Sequence, residues 1–405
     1  MGIAQGLIGD CSTQAFGGYF EIVGMGLGIV IFRYGMNIEV VKLSQPVMTT
    51  QNGSSEGSVN ACDNVAVYGV NAPAVIAAIK QRQANRKAGQ IEPDGRKLAL
   101  VLEGGAMRAA GPAGGVVALG HLGLTEIFDE VYATSAGAMN AGYFLSGQAD
   151  MGITIYFEDL TTGRFINPLR FWKVVDVDYL IDEVAVTKKP LDVRRILNSP
   201  TRLYATVMNE AGEALLIDTK STKTPLLTIL KAALAMPVLY NRTVEVEGKN
   251  CMDCALRVPF PLQQAIENGC TDILLLLSRS REYVSAGHSW LARLFFDLIC
   301  ARSRRGLSRA YAMHHLYSRS VRDLALGRSA IAPPNVNMAV ICTERSESIH
   351  RTTVDPAALR AAAVSYGRRT LRAFGVDEKG WNLGPASIVK FINGARKAMA
   401  PTISS

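Results

Sequence analysis

From residue 97 to residue 343, short unbroken apolar runs alternate with segments whose apolar residues recur at helical spacing. The runs are 97–103 (KLALVLE), 130–134 (EVYAT), 202–209 (RLYATVMN), 213–218 (EALLID), 271–278 (TDILLLLS) and 337–343 (NMAVICT). Each is five to eight residues long and predominantly apolar, the pattern of a buried strand. A helix is predicted to begin near Gly114, a small-residue helix (AGAMNAGYFL) to follow 130–134, and TPLLTILKAALAMP to form a helix stopped by Pro237. VEVEGKNCMD reads as a hairpin and QQAIENG as a short helix before TDILLLLS. Repeated strand–helix alternation predicts an α/β fold around a mainly parallel sheet.

Upstream the pattern is weaker. Asn71 can cap a short helix with Pro73 in its first turn and Val75, Ile76 and Ile79 on its apolar face. The polar stretch KQRQANRKAGQIEPDG that follows suggests a boundary near residue 95, and residues 44–63, rich in Ser, Gly, Asn and Thr, read as a linker. Residues 15–36 are apolar and Gly-rich, but Glu21 interrupts them, so a packed or loosely ordered leader is expected rather than a membrane span, which needs about 20 apolar residues. The expected organisation is an N-terminal extension over 1–95, one main domain over 96–376 and a tail over 377–405, without internal repeats.

Composition narrows the class. Of 405 residues, 48% are hydrophobic and 19% charged, a globular balance. The net charge of +8 favours an anionic partner: nucleic acid, acidic substrate or an anionic membrane surface. No zinc-ribbon spacing, Lys run or aromatic–basic interleaving supports nucleic acid, so no nucleic-acid partner is expected. The seven cysteines are odd in number and scattered, implying no disulfide framework, and the lone Cys251-Met252-Asp253-Cys254 pair lacks a second pair or nearby His, so no metal site is expected. A cytoplasmic or peripheral-membrane location fits this inventory.

Two strand-to-helix junctions carry candidate chemistry. Glu103-Gly104-Gly105-Ala106-Met107-Arg108 follows a strand; a glycine-rich turn there exposes main-chain N–H groups able to hold an oxyanion or a phosphate. It lacks the Gly-Lys-Ser/Thr of a nucleotide loop and the GxGxxG of a dinucleotide fold, and a plain tight turn is the bland alternative. Ala133-Thr134-Ser135-Ala136-Gly137 follows the next strand; a sharp turn there would project Ser135 beyond the sheet, although such a Ser is often only a helix cap. A serine nucleophile needs a base. None of His121, His288, His314, His315 and His350 stands on a strand-end loop in the order of a Ser–acid–His triad, His350 being the one late candidate. Asp253, ending the predicted hairpin, is the carboxylate alternative.

These segments resemble the patatin-like phospholipases. LVLEGGAMR is similar to that family's oxyanion loop, ATSAGAMNAG to its GxSxG elbow, LKAALAMPVLY to the helix before its aspartate, and CMDCALRVPFPLQQAIENGCTDILLLLSR to its Asp-Gly segment, in order from about 97 to 376. The resemblance implies a three-layer α/β/α patatin-like fold and a metal-free, cofactor-free serine acyl hydrolase acting on phospholipid or other acyl-lipid esters. Ser135 would be the nucleophile and Asp253 the base. Main-chain N–H groups of Gly104, Gly105 and Ala106 would form the oxyanion hole, with Arg108 bracing the loop and Gly137 supporting the elbow.

Four positions depart from the family pattern: Ala106 and Ala109 in the loop, Ala133 in the elbow and Cys254 after the aspartate. A side chain forced into left-handed backbone costs about 1–2 kcal/mol, so a catalytically impaired lipid-binding or scaffold protein is the alternative, and a phosphate- or nucleotide-binding protein using the 104–111 loop is a third. Between Arg279 and Arg328, ten arginines and the apolar WLARLFFDLI (290–299) suggest core-packed helices with a basic solvated face, or a surface for anionic lipid.

Overall fold

The computed structural model describes residues 21–26, 29–34, 37–42, 67–90, 94–170, 173–285, 305–329, 333–347 and 349–383. The chain divides into two compact units, Met1–Cys62 and Asp63–Ser405. In the first, strands β1 (Glu21–Gly26), β2 (Ile29–Tyr34) and β3 (Asn37–Lys42) form an antiparallel sheet in which Ile29 pairs with Lys42 and Tyr34 with Asn37. Part of the expected leader is therefore strand, which suits its β-branched and aromatic run IVIFRY. Residues 1–20, the expected linker over 44–63, the WLARLFFDLI segment and residues 384–405 lie outside the described residues.

The second unit is organised by an eight-stranded sheet. Its parallel part contains β4 (Leu98–Leu102), β5 (Glu130–Thr134), β6 (Arg202–Asn209), β10 (Asp272–Leu277) and β11 (Asn337–Cys342), in the spatial order β11-β10-β4-β5-β6. Beyond β6 the direction reverses: β7 (Ala214–Asp218) and β9 (Lys249–Asp253) both pair antiparallel with it, and β8 (Val244–Val246) pairs with β9. All six predicted strands are present, each within one residue of its expected ends.

Both faces of the sheet are covered, which is why the strands read as unbroken apolar runs. Leu98, Leu100 and Leu102 share one core with Val131, Leu274 and Ile341, whereas Ala99 and Val101 share the opposite core with Ile273, Leu275 and Val340. The first face carries α2 (Ala110–His121), α3 (Ala136–Leu145), α4 (Ala149–Glu158), α6 (Leu226–Leu234) and α9 (Pro356–Ala373). The second is covered by α7 (Leu262–Glu267) and α8 (Arg305–Ala325). A short α5 (Val193–Asn198) and a π-helix over Tyr179–Lys188 complete the first side. No helix among the described residues is long and apolar enough to cross a membrane.

Three expectations need correction. The helix α1 (Ala72–Lys87) continues into the first half of the polar stretch taken as a boundary, because its polar side chains find distant partners. Arg82 donates to Asp94 (2.7 Å) and Asp129 (2.6 Å), and Gln83 donates to the Leu122 carbonyl (2.5 Å), so α1 belongs with the sheet unit. Asn71 does not cap it through its side chain; the residue adopts a left-handed conformation and its amide donates to Asn337 (2.9 Å). Nor does packing stop at 376: Trp381 is fully buried, and its indole N–H donates to His121 Nδ1 (3.1 Å).

Helices α2 and α9 approach so closely that a Cβ on Gly114 would stand 2.0 Å from the Ala363 carbonyl oxygen. Backbone meets backbone there, and neither side can turn aside. Gly114→Ala is expected to lower stability by about 1–3 kcal/mol, read from the urea midpoint; an unchanged midpoint would show that the helices separate freely.

Candidate active site

Ser135 stands between the last residue of β5 and the first residue of α3, with φ 55° and ψ −133°. That conformation costs a non-glycine residue about 1–3 kcal/mol and persists only where its surroundings impose it. Three contacts impose it here. Thr134 is bonded side chain to side chain with Thr206 of the neighbouring strand (2.6 Å). A Cβ on Gly137 would lie 2.6 Å from the Leu102 carbonyl oxygen, so the first turn of α3 fits against the end of β4 only with glycine. A Cβ on Gly104 would lie 2.6 Å from the Ser135 Cβ and 2.7 Å from the Thr134 carbonyl oxygen.

The Ser135 side chain makes no helix-capping bond. Its hydroxyl instead donates to Asp253 Oδ2 at 2.5 Å, across 118 residues of chain. Sheet register explains the meeting. Thr134 pairs with Thr206, and the next residue on β6, Val207, pairs with Asp253 on β9. Ser135 and Asp253 are thus level with each other on either side of β6. The Asp253 main-chain N–H is held by the carbonyl of Ala235, just after α6 (3.0 Å), and its Oδ1 accepts from the Ala255 N–H (2.8 Å).

Both side chains are buried, Ser135 at 4% and Asp253 at 3% exposure. Burial pushes the Asp253 carboxyl up to about 6, opposed by the bond from Ser135, the bond from Ala255 and the positive charge of Arg351. His350, the one late histidine candidate, is exposed, and its main-chain N–H donates to the Thr353 hydroxyl. Asp253 is the partner that the fold gives to Ser135.

The glycine-rich loop runs from β4 into a 3-10 turn, Ala106–Ala109, and then α2. Gly105 has φ 145° and Ala106 φ 52°, a peptide sequence that turns sharply beside Ser135. The N–H groups of Gly104, Gly105 and Ala106 donate to no other described residue, whereas those of Glu103, Met107 and Arg108 are bonded. The loop is anchored on both sides. Asn140 of α3 donates to the Ala109 carbonyl (3.1 Å), and the Ser278 hydroxyl donates to the Gly104 carbonyl (2.6 Å). Glu103 accepts from the Ser278 N–H (2.6 Å) and from Arg322 (2.7 Å), both buried.

Of the four departures noted in the sequence, only Ala106 occupies left-handed backbone. Ala109 is right-handed helical, with φ −67°. Ala133 is a fully buried strand residue paired with Ala205, and Cys254 is fully buried with no positive φ. The thiols of Cys251 and Cys254 are free and buried, and burial pushes Cys251 up to about 11. Arg108 does not brace the loop as expected: its side chain makes no hydrogen bond with a described residue, and its Nε is buried without a partner.

An apolar pocket, partly open to solvent, extends from Ser135. Its walls include Met139, Ile155, Leu160, Phe165, Val175, Leu180 and Met236, and Ala106, Arg351 and Thr352 stand with Ser135 at its polar end. Sequence reasoning did not find this wall. Its signal was present in the apolar run of α4 and in the residues before the π-helix, but nothing local says that they face Ser135.

Residues 100–266, which hold the loop, Ser135 and Asp253, match the family model for patatin-like phospholipase. The chain carries a patatin-like phospholipase domain. A relative of this chain is the uncharacterized protein YjjU of Escherichia coli (strain K12), 27% identical over 188 residues. The match covers 44% of this chain and 51% of YjjU, so the chain spans about half the length of that curated relative. Among solved structures, VipD from Legionella pneumophila aligns with a TM-score of 0.43 at 12% identity, covering 69% of this chain and 67% of VipD. Human GIVD cytosolic phospholipase A2, solved with methyl gamma-linolenyl fluorophosphonate, aligns with a TM-score of 0.38 at 12% identity, covering 92% and 72% of the two chains.

The raised Asp253 pKa has a consequence for stability. In the fold the carboxyl titrates near 6, above its ordinary 3.8, so the protonated form is favoured and the associated stability is lost as pH rises through 6. Asp253→Asn keeps the shape without the charge. It is expected to raise unfolding free energy at pH 8 by up to about 3 kcal/mol, with the gain vanishing toward pH 4. Urea titrations of both proteins across that range test it; a pH-independent difference would refute the assignment.

Proposed function

We propose that this chain is a serine acyl hydrolase that cleaves ester bonds of phospholipids or other acyl lipids through a Ser135–Asp253 dyad. The observation that carries this reading is the 2.5 Å bond from the Ser135 hydroxyl to a buried carboxylate at the polar end of an apolar pocket. The pocket fits an acyl chain, whose burial there would be favourable by about 0.8 kcal/mol per methylene.

In the acylation step Ser135 Oγ attacks the ester carbonyl carbon as its proton passes to Asp253 Oδ2. The carbonyl oxygen becomes an oxyanion facing the N–H groups of Gly104, Gly105 and Ala106, with the positive end of α3 behind the nucleophile. As the tetrahedral centre collapses, the ester C–O bond breaks and the leaving alkoxide takes the proton from Asp253, leaving an acyl-serine. Asp253, again ionised, then removes a proton from water as that water attacks the acyl carbon. Expulsion of Ser135, which recovers its proton from Asp253, releases the fatty acid. A carboxylate titrating near 6 is well matched to this work, ionised at pH 7 yet more basic than an exposed aspartate. No metal or organic cofactor enters this scheme.

The catalytically impaired alternative loses most of its basis, since three of the four departures sit in ordinary backbone. Peripheral contact with a lipid surface, as a cytoplasmic or membrane-associated protein, goes with the proposed substrate class. The domain proposed to act is the sheet unit, with residues 1–62 as an N-terminal extension.

Three outcomes are expected. A fluorophosphonate probe labels Ser135 and not the Ser135→Ala protein, as read by mass spectrometry of the peptide. Ser135→Ala and Asp253→Asn each lower ester turnover by at least about 10⁴-fold while circular dichroism is unchanged. The kcat/KM of the wild-type chain rises tenfold per pH unit up to about 6 and is level above it, because only ionised Asp253 accepts the proton. A folded protein that neither labels nor hydrolyses any acyl ester would sink the reading.

A further inference from the structure

Two orientations are open to the peptide between Gly104 and Gly105, and only one of them suits an oxyanion beside Ser135. A trans peptide is planar, so its C=O and N–H point in opposite directions. Glycine on both flanks leaves the plane free to turn over, because no Cβ opposes either sense. Turned one way, the unit offers an N–H donor to an oxygen bound beside the nucleophile. Turned the other way, it offers a carbonyl oxygen, which repels developing negative charge. The loop can therefore do its work only if something outside it fixes the plane.

A side chain from another strand does this. Ser278 follows the last residue of β10 and is buried, at 2% exposure. Its hydroxyl stands 2.6 Å from the Gly104 carbonyl oxygen and 3.1 Å from Glu103 Oε2. Two oxygens 2.6 Å apart with no proton between them would repel, so the hydroxyl proton is committed to the carbonyl. Ser278 is pinned in turn. Its N–H donates to Glu103 Oε2 (2.6 Å), and the other oxygen of that carboxylate accepts from Arg322 (2.7 Å). A Cβ on Gly105 would lie 2.7 Å from Ser278 Oγ, and one on Gly104 would lie 3.3 Å from Ser135 Oγ. The peptide thus stands between the two serines. Its carbonyl is taken on the Ser278 side, and its N–H, which meets no acceptor among the described residues, points the other way.

We infer that Ser278 is a positioning residue for ester hydrolysis: by holding the Gly104 carbonyl it keeps the Gly105 N–H turned toward the oxyanion that forms at Ser135. Ser278 does not line the pocket, so it acts through the loop and not on the substrate. Without its hydroxyl the buried Gly104 carbonyl loses its partner. A peptide that turns over to find another one removes a donor and sets an acceptor in its place. This inference rests on the acyl-hydrolase reading and adds to it a residue outside both the dyad and the loop.

The test compares the full-length wild-type chain with Ser278→Ala and Ser278→Cys on one acyl ester and on two inhibitors of the same chain length. A trifluoromethyl ketone adds to Ser135 and forms an oxyanion, whereas the matching long-chain alcohol fills the apolar walls and forms none. In Ser278→Ala, kcat should fall about 100-fold at unchanged KM. Affinity for the ketone should fall comparably while affinity for the alcohol holds. Ser278→Cys should lie between, since a thiol is a weaker donor, and it carries the comparison if the thermal midpoint shows that Ser278→Ala does not fold. The break in the pH profile near 6 should stay in place, because Asp253 is untouched. Unchanged kcat and ketone affinity in Ser278→Ala would overturn the inference and leave the hydrolase reading standing. A loss carried equally by KM and by the alcohol would overturn it too, since that marks a damaged pocket. A wild type that neither turns over the ester nor binds the ketone fails the hydrolase reading itself, and Ser278 then has no oxyanion to position for.

Discussion

A carboxylate buried as deeply as Asp253 is tolerable only if its oxygens are bonded. One bond comes from the Ala255 N–H and the other from the Ser135 hydroxyl, which itself sits on backbone that the residue would not adopt alone. Two local penalties are thus joined by one 2.5 Å contact. The rest of the fold supplies what the contact requires. The parallel strand β5 delivers Ser135 to the carboxyl edge of the sheet, and the direction reverses at β6 so that antiparallel β9 delivers Asp253 to the same edge. A wholly parallel sheet would bring a residue there from a strand end in the other sense, without the tight return between β9 and α7.

Glycine is placed where backbones crowd this contact and nowhere in it is it needed for softness. Gly104 and Gly137 stand within Cβ-clash distance of Thr134, Ser135 and Leu102, so the loop, the elbow and the end of β4 form one close-packed corner. The substitutions that depart from the family pattern fall outside that corner or tolerate it. Ala133 packs in the strand, Ala109 continues into helix, and Cys254 fills a buried site after the aspartate. Ala106 alone retains a left-handed penalty of about 1–2 kcal/mol, and it is also the residue where the loop borders both the pocket and Ser135.

Charge divides the site as sharply as shape does. The pocket walls are apolar side chains from α3, α4, the segment before the π-helix and the end of α6, while Arg351 marks its polar end. Behind that end, Glu103 joins Ser278 and Arg322 in a buried network under the glycine-rich loop, in which Arg322 Nε and Nη1 find no partner among the described residues. The overall charge of +8 is thus not spread evenly as a solvated coat; part of it is concentrated beside the candidate nucleophile.

The sequence by itself determined the layers. Apolar runs such as 98–102 and 272–277, buried on both faces, read as inner strands, and their alternation with helical segments set a mainly parallel α/β sheet. It also marked Ser135, the glycine-rich loop and Asp253, because strand-to-helix turns and a carboxylate at a hairpin end have local signatures. What it could not determine was anything carried by partners distant along the chain. The polar run after residue 79 stayed helical because Asp94, Asp129 and Leu122 compensate it, and Trp381 is core because His121 and α9 enclose it. The apolar pocket beside Ser135, the place of Arg351 in its lining and the lack of a hydrogen-bond partner for Arg108 Nε were likewise decided by the tertiary structure. Periodicity reports which side of an element is buried, and only the packed fold says what it is buried against.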